Sequence, residues 1–239
     1  MKYLLPLTFI LFLFNASCED NKKTPAIKTE TVSINLKDSL SKKEDNKKQM
    51  LSEAKKHPLI TNENVVSFLT KYGKENSETQ VRLFTKYGNI DLELFEDTPL
   101  HRANFIYLVK QGYFNDTYFH RIVPNFIIQA GNSDEAITNK KRAKLGQDYL
   151  LPAEIKHHHE YGTISGAKEY RENPDKKTAP YEFFIFLGPQ TSTRHLEGNY
   201  TVFGKIIKGM DVVEKIANLP RDEGEWPLQN VRIKANVLH

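Results

Sequence analysis

Residues 119–131 set one arginine and one glutamine among large apolar side chains, in the order Phe-His-Arg-Ile-Val-Pro-Asn-Phe-Ile-Ile-Gln-Ala-Gly. The alternation over 126–129 predicts a strand with Ile127 and Gln129 on one face and Phe126 and Ile128 on the other. A guanidinium beside an apolar wall is costly unless it is paired or hydrogen-bonded. Gln129 is a neutral partner that could hold Arg121 and leave its charge available to a ligand. The simpler alternative is a core strand with a snorkelling arginine.

The segment resembles the signature of the cyclophilins, the peptidyl-prolyl cis/trans isomerases. The match falls on Phe119, His120, Arg121, Pro124, Phe126 and Gln129. Three later segments, 162–167, 181–185 and 196–204, are similar to further blocks of that family in the same order. The resemblance covers about residue 80 to the C-terminus. It implies a mainly β fold for residues 79–239: a closed antiparallel eight-stranded barrel capped by two α-helices.

The resemblance also implies a reaction and the residues that perform it. Turning an X-Pro bond breaks amide resonance, and the twisted proline nitrogen then accepts a hydrogen bond that neither ground state accepts. Arg121 is the candidate catalytic donor, and the reaction needs no cofactor or metal. The candidate substrate-binding residues are His120, Phe126, Ile127, Gln129, Ala167, Lys168, Glu182, Phe184, His195, Leu196 and Tyr200.

Several of these positions depart from the family pattern. Ile127 stands where many cyclophilins have Met, and Glu182 stands where the family has Gln. A carboxylate accepts hydrogen bonds but donates none, so Glu182 could pair with Arg121 and weaken it, or could select peptides with basic residues near the proline. Lys168 replaces an Asn of many relatives, and His195 replaces a Trp of some.

Local patterns place helices and strands around these residues. Residues 90–95 alternate as a half-buried strand, and a helix follows in which Thr98 can cap, Pro99 suits the first turn and Gly112 can end it. Residues 209–218 predict a second helix, and 231–237 predict a closing strand.

The first residues predict export and anchoring. Lys2 precedes an apolar run over 4–14, too short to span a bilayer, and small residues then lead to Cys18, the single cysteine. Residues 1–17 resemble a lipoprotein signal peptide, which implies a lipid on Cys18. Asn15 departs from that pattern, so ordinary cleavage is the alternative. The expected location is the cell envelope, bound to a bacterial membrane by the lipid and facing the periplasm or the cell surface.

A polar segment separates this region from the barrel. Residues 18–60 are rich in Lys, Glu, Asp, Ser, Thr and Asn, which predicts a flexible, disordered tether. A short helical linker is predicted over 61–78, with Thr61 or Asn62 as its cap. That helix could dock on the barrel or on a partner.

The overall charge bears on partners. The net charge is +4 with both signs mixed along the chain, which argues against nucleic-acid binding. The three histidines at 157–159 invite a metal site, but consecutive side chains rarely converge on one ion, and we predict a solvated loop. The expected partners are proline-containing peptides and unfolded proteins, bound by a monomer.

Two functions remain from the sequence. The first is an isomerase that assists the folding of proteins outside the cytoplasm, where proline isomerisation can limit folding. The second is a proline-peptide binding module or chaperone that keeps the cleft but turns over slowly because Glu182 disables Arg121.

Overall fold

The computed structural model describes residues 58–168 and 173–238. The strands are β1 (Gln80–Thr85), β2 (Gly88–Leu94), β3 (Tyr118–Val123), β4 (Ile127–Asn132), β5 (Thr163–Gly166), β6 (Phe183–Phe186), β7 (Val202–Lys208), β8 (Val231–Arg232) and β9 (Lys234–Val237). The helices are α1 (Val65–Glu75), α2 (Pro99–Lys110), α3 (Ala136–Leu145) and α4 (Met210–Ala217), with a short 3₁₀ turn at Gln190–Ser192. The predicted mainly β class is confirmed.

The strands form one antiparallel sheet that nearly closes on itself. The order is β8-β3-β4-β6-β5-β7-β2-β1-β9, so β8 and β9 form its two edges. These edge strands are consecutive in the chain and are separated only by Ile233, whose amide donates to the Thr117 carbonyl at 2.8 Å. The nine segments therefore correspond to the eight predicted strands, because the predicted closing strand is broken at Ile233 and pairs with both β3 and β1.

The helices α2 and α4 lie near their predicted positions and bury their apolar faces in the main core. Thr98 is at the N-cap position of α2 and Pro99 begins the helix, but the Thr98 side chain makes no capping hydrogen bond. The carboxylate of Glu154 accepts instead from the amides of Leu100 and His101, at 3.1 and 3.0 Å. A charged cap from a distant loop thus satisfies donors that a local hydroxyl was expected to satisfy.

Two further helices, α1 and α3, accompany the capping helices α2 and α4. The predicted linker helix is α1, which begins at Val65, later than expected, and Asn64 is its N-cap residue. Leu69 of α1 is fully buried and belongs to the main core. The rings of Phe68 and Tyr72 both pack against Tyr107 of α2 with their centroids about 5 Å from its ring. Of the two docking partners left open by the sequence, α1 therefore uses the barrel domain.

The folded unit begins before the predicted linker. Ile60, assigned to the tether by sequence, is buried, and its amide donates to the Leu145 carbonyl at 3.0 Å. The predicted signal peptide, the predicted lipidation site Cys18 and the predicted tether up to residue 57 lie outside the described residues. In the part of the chain that the structure describes, every helix is too short or too polar to cross a bilayer.

Candidate active site

A cleft of about 420 Å³ opens on the barrel surface beside strands β3, β4 and β6. It brings together all twelve side chains proposed from the sequence: His120, Arg121, Phe126, Ile127, Gln129, Ala167, Lys168, Glu182, Phe184, His195, Leu196 and Tyr200. Their roles remain predictions, but their convergence shows that the motif residues form one site.

The floor of the cleft is apolar and separate from the main core. Ile127, Phe184, Phe186 and Leu196 form a second buried cluster, against which Phe126 and Tyr200 pack. The prediction that Phe126 shares a face with Ile128 was wrong, because Ile128 lies in the main core. Phe126 belongs to the turn before β4, where Asn125 has φ of 58°, so strand alternation starts only at Ile127. The result is a small apolar pocket open to solvent.

A β-bulge places His120 and Arg121 on the same cleft. Phe119 pairs with Ala130 and Arg121 pairs with Gln129, so His120 is an extra residue in β3. A regular strand would direct these consecutive side chains to opposite faces. The bulge re-aims them, and both line the cavity.

The partner of Arg121 is a carboxylate that the sequence analysis missed. Arg121 Nε donates to Glu225 Oε2 at 2.6 Å. The prediction that Gln129 holds Arg121 was wrong, because Gln129 Nε2 donates to Glu182 Oε2 at 2.9 Å. The Arg121 side chain is 37% exposed and lines the cleft.

Glu182 does not pair with Arg121 either. Its Oε1 accepts from Arg142 at 3.3 Å, and its Oε2 lies 3.4 Å from His120 Nε2. Burial alone would raise the pKa of this carboxyl, but the His120 contact, the Arg142 charge and the Gln129 donor together hold the pKa below its usual 4.5. Glu182 is therefore a carboxylate anion in the cleft wall, and each of its oxygens contacts neighbouring side chains.

Arg142 of α3 contacts Glu182 from a partly buried position and makes further contacts on the way. It donates from Nε to the Tyr113 hydroxyl at 2.9 Å and from Nη2 to Asn132 Oδ1 at 3.2 Å, and its guanidinium lies over the Tyr181 ring. An amide at position 182 would need only a neutral partner, whereas the Glu182 carboxylate is paired with the charge of Arg142. The cation explains why a carboxylate is tolerated at this position.

Two further cleft side chains lie against aromatic rings. The Lys168 ammonium lies 4.9 Å from the centroid of the Tyr200 ring, and burial lowers the pKa of this amine. The His195 ring centre is 5.5 Å from that of Phe126. Both groups border the apolar floor, where they can contact residues that flank a bound proline.

The three consecutive histidines lie in a loop, as predicted, but only His157 and His158 are open to solvent, with side chains 34% and 80% exposed. His157 contacts Asp97 and His158 contacts Glu197, but His159 is fully buried between Glu197 and Ser165 and stacks on Phe184. Burial lowers the pKa of His159 despite the Glu197 carboxylate. Across residues 58–168 and 173–238, no group of three or more His, Cys, Asp or Glu side chains is placed to hold a metal ion.

The sequence predicts the turn that carries Glu225 but gives that turn no function. Trp226 follows it, and its ring lies 5.7 Å from that of His120 and 6.5 Å from that of Tyr118. A Gly, Trp and Pro close together signalled a turn. Nothing local in the sequence indicated that this turn folds against β3.

The fold and the cleft define a nearly closed antiparallel β-barrel with an exposed guanidinium at the rim of an apolar pocket. Residues 80–237 match the family model described as cyclophilin type peptidyl-prolyl cis-trans isomerase/CLD. The chain belongs to the cyclophilin-type peptidyl-prolyl cis-trans isomerases, a family of isomerase enzymes.

Individual relatives agree with this assignment. A peptidyl-prolyl cis-trans isomerase of Acinetobacter baylyi is 37% identical over 60% of this chain and 74% of its own length. Peptidyl-prolyl cis-trans isomerase A of Dickeya dadantii is 35% identical over 68% and 83%. Peptidyl-prolyl cis-trans isomerase-like 2 of Rhizopus delemar is 39% identical over 68% of this chain, which spans only 29% of that protein.

A solved structure extends the comparison to the fold. The crystal structure of a Cryptosporidium parvum cyclophilin type peptidyl-prolyl cis-trans isomerase, in the presence of the dipeptide Ala-Pro, superposes with a TM-score of 0.56 at 28% identity. The match covers 67% of this chain and 99% of that structure.

Proposed function

We propose that this isomerase binds X-Pro segments of proteins outside the cytoplasm and accelerates their cis/trans exchange through Arg121. The uncatalysed rotation crosses a barrier of roughly 20 kcal/mol and takes tens to hundreds of seconds. In the twisted amide, the proline nitrogen regains a lone pair. A donor aimed at that nitrogen binds the twisted state better than either planar state and so lowers the barrier.

The observation that carries this proposal is the position of Arg121 above a separate apolar pocket. Ile127, Phe184 and Leu196 supply a floor for the pyrrolidine ring. Arg121 uses Nε for Glu225, and its side chain lines the same cavity. Binding the ring while the preceding carbonyl turns is a positioning task, which needs no covalent step.

The related Cryptosporidium structure supports proline-containing peptides as ligands, because it was determined in the presence of Ala-Pro. Each Glu182 oxygen already accepts a hydrogen bond, one from Arg142 and the other from Gln129, and the Arg142 charge offsets that of the carboxylate. Selection of basic residues by Glu182, one of the alternatives raised from the sequence, therefore has little support. Its pairing with Arg142 likewise removes the reason to expect that Glu182 disables Arg121.

The experiment is exchange NMR on a short X-Pro peptide with the wild type and Arg121→Ala. Loss of a preorganised donor predicts a fall in kcat/KM of about a hundredfold. Arg232→Ala is the matched control, because Arg232 lies outside the cleft and pairs with Asp116 and Glu135. Exchange by folded Arg121→Ala at the wild-type rate would remove Arg121 from the mechanism. Tight peptide binding by a wild type without turnover would instead favour the binding module.

The extracytoplasmic location forms the second part of the proposal. Its support is the apolar run over 4–14 and the single cysteine at position 18. A diacylated Cys18 would bind a bilayer through its acyl chains, each buried methylene contributing about 0.8 kcal/mol. Metabolic labelling with an alkyne fatty acid should mark the wild type and the control Ser17→Ala but not Cys18→Ser. Equal labelling of Cys18→Ser would refute the anchor.

A further inference from the structure

We propose that Glu225 is a positioning residue for Arg121. It holds the guanidinium by Nε so that the two terminal amino groups face the substrate. The inference rests on the proposed role of Arg121 as donor to the proline nitrogen. It assigns a task in the reaction to the turn that carries Glu225 and Trp226.

The contact has the geometry of a directed hydrogen bond. Nε and Oε2 are 2.6 Å apart, and the two side chains are 37% and 35% exposed. An exposed ion pair contributes little to stability, because water screens the charges and two long side chains lose freedom. Its main effect here is therefore orientation. A guanidinium bound at Nε cannot rotate freely about its long side chain, yet keeps its terminal donors.

The turn that carries Glu225 is itself fixed to the strand of Arg121. The Ile122 amide, next to Arg121, donates to the Glu225 carbonyl at 2.8 Å. Asp222 accepts at its side chain from the Trp226 amide, and its own amide donates to the Trp226 carbonyl. Glu225 adopts a left-handed conformation with φ of 66°, which a non-glycine residue rarely adopts. These contacts set the carboxylate in place before substrate arrives.

Gln129, the neutral residue that could have held Arg121, bonds to a different side chain. Gln129 faces Arg121 across the β3–β4 ladder, but its amide donates to Glu182, which is held by Arg142. Arg121 is thus oriented by Glu225, in a loop 104 residues further along the chain, and not by its strand partner Gln129. Since misplacement of a catalytic group by about 1 Å can cost about a hundredfold in rate, a fixed carboxylate is functionally significant.

Two substitutions at Glu225 separate orientation from charge. Glu225→Ala should lower kcat about tenfold and change peptide affinity less than twofold, because the floor of the pocket is untouched. Glu225→Gln retains an oxygen acceptor and should recover activity to within about threefold of the wild type. Glu93→Ala is the matched control, since Glu93 forms a comparably exposed pair with Lys205 away from the cleft.

Two spectroscopic readouts accompany the kinetics. Trp226 is the single tryptophan of the chain and lies beside the His120 ring, so its fluorescence reports both the turn and peptide affinity. The NMR signal of the Arg121 Nε–H should exchange slowly with water in the wild type and in Glu225→Gln, and quickly in Glu225→Ala. If the turn had only a structural role, the Arg121 Nε–H would exchange at the same rate in Glu225→Gln and in Glu225→Ala.

The double variant Arg121→Ala/Glu225→Ala decides the assignment and separates it from the proposed function. If Glu225 acts through Arg121, its removal has no further effect once Arg121 is gone. An equal loss in both backgrounds, or a rate increase in Glu225→Ala, would overturn the positioning role while leaving Arg121 as donor. Wild-type activity in Arg121→Ala alone would overturn the proposed function itself.

Discussion

At the scale of single residues, charge placement distinguishes this cleft. Two carboxylates lie near its polar wall, and each is paired with a different cation: Glu225 with Arg121, and Glu182 with Arg142. Only the first pair involves the proposed donor. The second stabilises the wall behind Gln129 and His120, so the two acids affect different properties of the enzyme.

Glu182→Gln should therefore reduce stability more than activity. Removing one partner of a largely buried ion pair leaves the Arg142 charge undercompensated, and we expect a loss of about 1–3 kcal/mol in the free energy of unfolding. Denaturant titration at neutral pH measures it. The double variant Glu182→Gln/Arg142→Met removes both charges and should recover part of the loss. A Glu182→Gln variant as stable as the wild type would show that the pair adds nothing.

The same pair predicts the acid dependence of stability. The pKa of Glu182 in the folded protein lies below 4.5, so the folded state binds its proton less readily than the unfolded state. Its contribution is complete above the unfolded pKa and is lost as pH falls through the lower folded pKa. Denaturant titrations from pH 6 to pH 3 should show a shallower acid decline in Glu182→Gln than in the wild type. Parallel declines would contradict this assignment.

At the scale of elements, the helix before the barrel belongs to the domain. The helix α1 buries Leu69 against the main core and stacks two rings on Tyr107 of α2. The family match begins only at residue 80. The helix is thus an addition to the matched barrel that is integrated into its core.

Leu69→Ala should lower the free energy of unfolding by about 2–5 kcal/mol, because a fully buried leucine leaves a cavity when it is shortened. Val66→Ala provides the control on the same helix, since Val66 is 48% exposed. Its effect should stay within about 0.5 kcal/mol. Thermal and denaturant unfolding of both variants measure the difference. Equal, small effects would show that α1 docks only loosely.

At the scale of the whole molecule, one interrupted strand completes the barrel. β8 pairs with β3, β9 pairs with β1, and Ile233 between them bonds to the Thr117 carbonyl and accepts from the Asp116 amide. One interrupted strand thus forms both edges of the sheet and pairs with β3 and β1, whose backbone groups would otherwise be unpaired there. The cleft keeps its shape because its strands belong to this nearly closed sheet.

The amides of Asp116 and Ile233 should therefore exchange with solvent only when the whole domain unfolds. Opening either bond detaches the strand that joins both edges, so local fraying is unfavourable. Native-state hydrogen exchange in increasing denaturant should give both amides the global free energy of unfolding. The Leu238 amide, at the end of the last strand, serves as a fraying control. Exchange of Ile233 at the Leu238 rate would mean that the barrel opens at this strand.

The sequence by itself determined the family, the mainly β architecture and the set of residues that line the cleft. These follow from residue types at fixed spacing, and residues 119–131 alone supply five of the twelve side chains that line the cleft. It also indicated α1, α2 and α4, because apolar periodicity and turn residues are local signals. The position of Phe126 was misjudged since a turn, and not the strand, sets its direction.

Only the tertiary structure decided which charges meet. Arg121 and Glu225 are 104 residues apart, Glu182 and Arg142 are 40 apart, and the bulge at His120 depends on strand pairing. A local pattern specifies the direction of a side chain, but its partner depends on which loops pack beside it. The proposed donor is therefore evident from the sequence, whereas the carboxylate that orients it becomes evident only when the chain closes into a barrel.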